Sequence, residues 1–351
     1  MNNEYDIVII GAGPAGSTIA RFLDKKYKVL VVDRKSEFEN QKNEKCCGGL
    51  LAPDAQKMLA VLGLGVPKSV LEDPQIFSVK TIDNNNQLIR YYQRYYINVN
   101  RDKFDRWLLS LVGSEVTISF DTLYKSHIEE NDSLIVKLVK EKNEFTIKTR
   151  ILIGADGAIS KVRKNAFSSE NPDMYISLQK WYKTTADMPY YISVFDKEIT
   201  DFYSWAIKKD NCLLIGSAAE NGKDANGKFT LLEGKLRAIG YDIGDEIKKE
   251  GTIILRTRKV KQLAFVNHHV ALVGEAAGLI SPSSAEGISY ALKSGYYLAK
   301  AINEDINFKK GYLKSVRKLK VNIILKNMKI PFMYNNFLRK IVMKSGILSL
   351  K

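Results

Sequence analysis

The sequence predicts an α/β fold in two parts, a Rossmann-like domain on a parallel sheet and a second domain whose sheet is mostly antiparallel. Three observations predict it. Residues 5–10 read as a buried strand that runs into GAGPAG and a helix, with an acid closing the strand after that. A second apolar strand and tight turn, VALVGEAAG, stands far down the chain at residues 270–278. Between them lie long stretches of period-two alternation such as FSVKTID and RYYQRYYINV.

Taken in order, residues 5–10, 15–23 and 27–32 form one strand–helix–strand unit. Residues 34–53 are charged and then glycine-rich, hence a loop, and residues 53–62 have helical spacing opened by Pro53. Residues 75–99 alternate around Asn84, Asn85 and Asn86, which predicts an antiparallel hairpin. Helical spacing returns at 101–111, and strands are expected at 116–120, 133–138, 145–149 and 151–154. Residues 175–216 are strand-rich and aromatic, residues 231–239 helical, and the last stretch is two helices interrupted at Pro331.

At 351 residues the chain suits one large and one smaller domain. The expected division gives the nucleotide domain residues 1–74, 98–165 and 260–305, the substrate domain 75–97 and 166–259, and a helical C-terminal lobe 306–351. No run of 18 apolar residues occurs and MNNEYD lacks the form of a signal peptide, so cytoplasmic residence is expected. Cys46, Cys47 and Cys212 are odd in number and two are adjacent, which argues against a disulfide framework. With only His127, His268 and His269 besides, and no metal-ligand spacing, a zinc site is not expected. The net charge is +15, and 12 lysines and arginines with no acid fall from residue 308 onward. No helix-turn-helix, finger or RNP-like pattern accompanies that charge, so nucleic acid is not the expected partner.

Gly11, Gly13 and Gly16 permit the tight turn, the approach of backbone to a pyrophosphate and close helix packing, while Pro14 and Ala15 open the helix whose N–H groups meet the phosphates. Asp33, with Arg34 behind it, ends the second strand where a carboxylate accepts from a ribose 2′-hydroxyl, which disfavours NADP in this pocket. A lone glycine fingerprint fits NAD, NADP or FAD; the second acidic turn, Gly274-Glu275, points to the longer cofactor, FAD. There Glu275 would reach the ribityl hydroxyls. The helix start at Gly287 and Ile288 would aim its positive end at flavin N1 and the C2 carbonyl, stabilising anionic reduced flavin.

Together with GADGAISKVRK at 154–164, KCCGGLLAPDAQ at 45–56, YQRYYINVNRDKFDRW, FDKEITDFYSWAIKKD and GEAAGLISPSSAEGISYAL, the chain resembles the geranylgeranyl reductase family of FAD-dependent oxidoreductases, which share the para-hydroxybenzoate hydroxylase fold. The resemblance spans nearly the whole chain. It implies that Asp156 and Gly157 face the ribityl and pyrophosphate region, that Arg101 touches the cofactor, and that Cys47 and Gly48 lie beside the flavin ring. Cys47 would then donate a proton or tune the flavin; a small, tightly packed loop residue is the rival reading. Tyr203 and Trp205, joined by Trp181, would line the substrate cavity, although aromatics on strands also serve as core. The pattern departs from the family at Leu50, where a third glycine is usual, at Glu275, usually aspartate, and at Lys208, usually proline.

These features imply reduction of carbon–carbon double bonds in a hydrophobic, isoprenoid or lipid-like substrate. A monooxygenase and a membrane-associated flavin protein with little turnover are the alternatives. NAD(P)H as a transient electron donor is compatible with the fold, but no second dinucleotide fingerprint names the donor. For the basic, apolar C-terminus two readings stay open: an apolar face packed on the FAD domain with only lysines outside, or an anionic membrane surface on the inner face of the membrane.

Overall fold

Ile7, Val8 and Ile9 in the strand Glu4–Ile10 are fully buried, which requires a sheet covered on both faces. The computed structural model describes residues 3–37, 46–220 and 224–350. They form two compact units, the first comprising Met1–Glu44, Phe104–Asp173 and Leu255–Leu325, the second Lys45–Lys103, Met174–Ile254 and Lys326–Lys351.

In the first unit Glu4–Ile10 pairs in parallel with Val29–Val32 on one side and Asn143–Gly154 on the other. Thr117–Ser119 and Val270–Leu272 extend this parallel core. A hairpin, Thr122–Glu130 with Ser133–Lys140, joins Asn143–Gly154 antiparallel. The sequence hides the strand Thr122–Glu130, because a bulge between Tyr124 and Ser126 breaks its alternation and leaves Leu123 and Ile128 exposed. Helix Pro14–Phe22 packs against helix Ile288–Glu304 so closely that a Cβ on Gly295 would stand 2.7 Å from the Ala15 carbonyl oxygen.

In the second unit, Ile76–Asp83 and Leu88–Asn98 make the expected hairpin, whose turn is held by Asp83 accepting from the Asn86 backbone and side chain. The sheet continues through Tyr190–Phe195, Ser204–Lys209, Cys212–Glu220 and Asp173–Lys183 to Glu246–Arg256. Tyr190–Phe195 runs parallel to Ile76–Asp83, so the sheet is mixed rather than purely antiparallel.

Residues 46–74 fall with the second sheet and not with the nucleotide domain, because Leu50 and Leu51 pair with Asn98 and Ile97. Part of the expected loop 34–53, residues 38–45, lies outside the described residues. The C-terminal lobe divides as well. Tyr312, fully buried, donates to the Leu272 carbonyl in the first unit, whereas Ser349 and Leu350 pair with Tyr92 and Tyr91 in the second. Four helices stand where two were expected among the described residues: Lys309–Ser315, Arg317–Met328, Ile330–Tyr334 and Asn336–Ser345. Pro331 sits in the first turn of the third, where its missing N–H has no helical partner to lose, so it opens a helix instead of breaking one.

Candidate active site

The glycine turn of the first unit is built by close approach. Gly11 has φ +108°, and a Cβ there would meet the Ala155 carbonyl oxygen at 2.5 Å; one on Gly16 would stand 1.9 Å from the Gly11 carbonyl oxygen. At Gly13 nothing lies within 4 Å of that position. The first two glycine contacts are thus made by the protein itself, and the third leaves room at the helix start. Pro14 occupies the first turn and no side chain caps Gly13, so the positive end of the helix stays open to an anion. Asp33 spans the next step: its carboxylate accepts from the Ala12 N–H at 2.6 Å and the Lys35 N–H at 2.8 Å. A carboxylate has about four lone-pair directions, so two such bonds leave capacity for a ribose hydroxyl. Arg34 beside it is exposed.

Asp156 holds the start of the next helix. Its carboxylate accepts from the Ser160 hydroxyl at 2.5 Å and from the Lys161 and Val162 N–H groups, capping the helix Lys161–Ala166. Burial pushes the Asp156 carboxyl above the usual carboxylate range against these bonds. Gly157, at φ +75° with open space around it, is the member of the pair that leaves backbone accessible. Glu275 accepts from the Leu255 N–H at 3.1 Å, which ties the GEAAG turn to the end of the strand Glu246–Arg256. Gly287 precedes the first residue, Ile288, of a 17-residue helix that no side chain caps.

Arg163, which the sequence reading passed over, secures this arrangement. It is 4% exposed and donates to the carbonyls of Ala276, Glu170 and Gln262 and to the Ser169 hydroxyl. Burial draws its guanidinium below the ordinary value. Its fork fixes the GEAAG turn to the helix that Asp156 caps.

The remaining expected residues lie in the second unit. Alternation along Ser204–Lys209 places Trp205, Ile207 and Lys209 on one face of the sheet. The loop of residues 46–49 lies on that face: a Cβ on Gly48 would meet Ile207 Cδ1 at 2.8 Å, and Lys209 Nζ donates to the carbonyls of Gly49 at 3.3 Å and Val99 at 2.8 Å. Lys209 is 2% exposed and pairs with Glu72 at 3.0 Å. Burial pushes its ammonium down from the ordinary lysine value, while Glu72 pulls it back up. Neither Glu72 nor Lys209 was singled out from sequence, although Lys209 closes the Tyr203-to-Lys209 element.

Arg101 stands in the first turn of a helix capped by Asn100, whose side chain accepts from the Asp102 and Lys103 N–H groups, and its Nη1 lies 3.4 Å from Cys47 Sγ. Tyr203 and Trp205 are neighbours, with ring centroids 5.5 Å apart. The buried Trp205 indole N–H finds no acceptor among the described residues. Trp181 lies on the same face of the sheet two strands from Trp205, where its indole donates to Glu250 and Lys248 lies over its ring.

Comparison with known proteins bears on the family and the fold. Residues 4–312 match the model of the FAD binding domain family. The protein CbrA of Escherichia coli O9:H4 is 39% identical over 345 residues, covering 98% of this chain and 94% of that protein. CbrA of Shigella sonnei is also 39% identical, over 98% and 97%. Among solved structures, a geranylgeranyl bacteriochlorophyll reductase-like protein from Thermoplasma acidophilum superposes with a TM-score of 0.81 at 20% identity, over 97% of this chain and 91% of that one. The flavin-dependent brominase Bmp2, as a triple mutant, gives 0.74 at 18% identity, over 98% and 95%. At these identities the structural likeness speaks for the fold.

Proposed function

Because the chain belongs to the FAD binding domain family and is an FAD-dependent oxidoreductase related to CbrA, we propose that it reduces a carbon–carbon double bond of a hydrophobic, isoprenoid or lipid-like substrate. The observation that carries this reading is the cluster of Cys47, Arg101 and Lys209 on the sheet face that bears Trp205. Gly11, Gly13, Gly16 and Asp33 would hold the adenosine diphosphate part of FAD, and Gly157, Glu275 and the helix start at Gly287 and Ile288 the remainder. Bound and reduced, FAD supplies hydride.

The protein's own groups do the rest. Cys47 donates the proton that completes reduction of the double bond, and Arg101, within reach of its sulfur, meets the thiolate left behind. Lys209 ties the loop, through the Gly49 carbonyl, to the Val99 carbonyl beside it, so that the thiol keeps its place. The unsatisfied Trp205 N–H orients a polar group of the substrate, because a buried donor gains most from the one acceptor it lacks.

The test is anaerobic turnover. FAD-loaded enzyme reduced with dithionite and mixed with a polyprenyl substrate should yield product two mass units heavier, with both added hydrogens replaced by deuterium in D2O, because the reduced flavin N–H and the Cys47 thiol both exchange with solvent. Cys47→Ala should slow the step by about 100-fold, within the range for a positioned acid. Product that forms only with oxygen and gains an oxygen atom would establish a monooxygenase instead.

A further inference from the structure

The helix Asn336–Ser345 has two unlike sides. Its inner side is pinned to the hairpin of the second unit. Arg339, 5% exposed, forks onto the fully buried Asp83 at 2.7 and 2.9 Å. Met343 is buried and its carbonyl accepts from Arg90, while Asn86 donates to the Asn336 carbonyl. The strand Ser349–Leu350 then pairs with the hairpin edge.

On the outer side Phe337, Lys340, Ile341 and Lys344 recur at i, i+3, i+4 and i+7, which is one helical face. Phe337 is 69% and Ile341 51% exposed, and both lysines are exposed. Phe332 before the helix and Leu348 after it are exposed as well. The earlier part of the tail does pack its apolar residues inward, with Tyr312, Val316, Leu319 and Ile323 buried in the first unit, but on this last helix apolar side chains as well as lysines stay outside. Turning the helix to bury Phe337 would pull Arg339 off Asp83.

We propose that this face docks on an anionic membrane surface. From residue 326 to the end there are six lysines and arginines and no acid. A nucleic acid would meet the charges but leave Phe337, Ile341 and Leu348 in water, and a second copy would set like charges against like. An anionic bilayer interface takes both, apolar side chains at the acyl boundary and lysines among the headgroups. No helix among the described residues is long and apolar enough to cross a membrane, so the contact lies on the surface.

Flotation of the full-length, FAD-loaded protein with vesicles decides the matter, and because the residues altered below are exposed on the last helix and lie outside the proposed substrate site, loss of binding in the variants is distinguishable from binding of a lipid-like substrate. Binding should require phosphatidylglycerol in a phosphatidylcholine vesicle and weaken as salt is raised. Phe337→Ser with Ile341→Ser, and separately Lys340→Glu with Lys344→Glu, should each lower the partition coefficient about tenfold or more. Both pairs should retain flavin content and melting temperature, because the altered side chains are exposed. Binding by the variants equal to that of the unaltered protein overturns the proposal, as does equal binding to phosphatidylcholine alone. So does a dimer that the serine pair dissociates, or duplex DNA bound with the lysine face, when vesicles are not bound.

Discussion

Lys209 shows how one side chain can fix a loop. Its ammonium is enclosed with Glu72 and shared between two carbonyls, so removing it strands a carboxylate in the interior. Lys209→Met should destabilise the protein by about 3–5 kcal/mol in denaturant unfolding. The double change Lys209→Met with Glu72→Gln should recover much of that, because no buried charge is then left alone. A pair of glycines separates folding from cofactor binding. Gly16→Ala drives a Cβ into the Gly11 carbonyl and should lose both stability and flavin, whereas Gly13→Ala meets nothing in the free protein. It should keep apoprotein stability within about 1 kcal/mol while FAD affinity, followed by flavin fluorescence, falls. If Gly13→Ala binds FAD like the unaltered protein, the open space at the helix start is not a phosphate site.

Among the elements, the last helix depends most on a single pair. Burial pushes the Asp83 carboxyl up, but hydrogen bonds from Arg339 and Asn86 outweigh it and hold the group below its ordinary value of 3.8. A carboxyl lowered in the folded state contributes stability that is fully present above the unfolded value and is lost as pH falls through the folded one. Asp83→Asn should therefore cost about 3 kcal/mol at neutral pH, and the gap to the unaltered protein should close in acid, as urea unfolding at a series of pH values would show. The elements also mark where sequence patterns suffice. The first strand, the glycine turn and its helix follow from period and composition. The strand Thr122–Glu130 does not, because its bulge disrupts the period by which strands are recognised. The loop of residues 46–49 carries its chemistry in plain view, yet Glu72 and Lys209 meet it only through burial, and nothing near Glu72 in the chain announces a partner 137 residues away.

For the whole molecule, the two units draw on interleaved segments, so their boundaries follow strand pairing more than chain order. The sequence by itself determined the α/β class, the dinucleotide turn, the placement of an acid after the second strand and the positive charge of the C-terminus. These are local properties: a turn needs glycine where φ is positive or backbones touch, and a strand or helix shows its period within a few residues. Only the tertiary structure decided that Arg163 ties the GEAAG turn to the helix Lys161–Ala166, that Glu72 meets Lys209, and that Phe337 and Ile341 face outward. The Arg163 fork, the Glu72–Lys209 pair and the Arg339–Asp83 pair that turns the last helix join groups far apart in the chain, and burial exists only once the sheets are assembled.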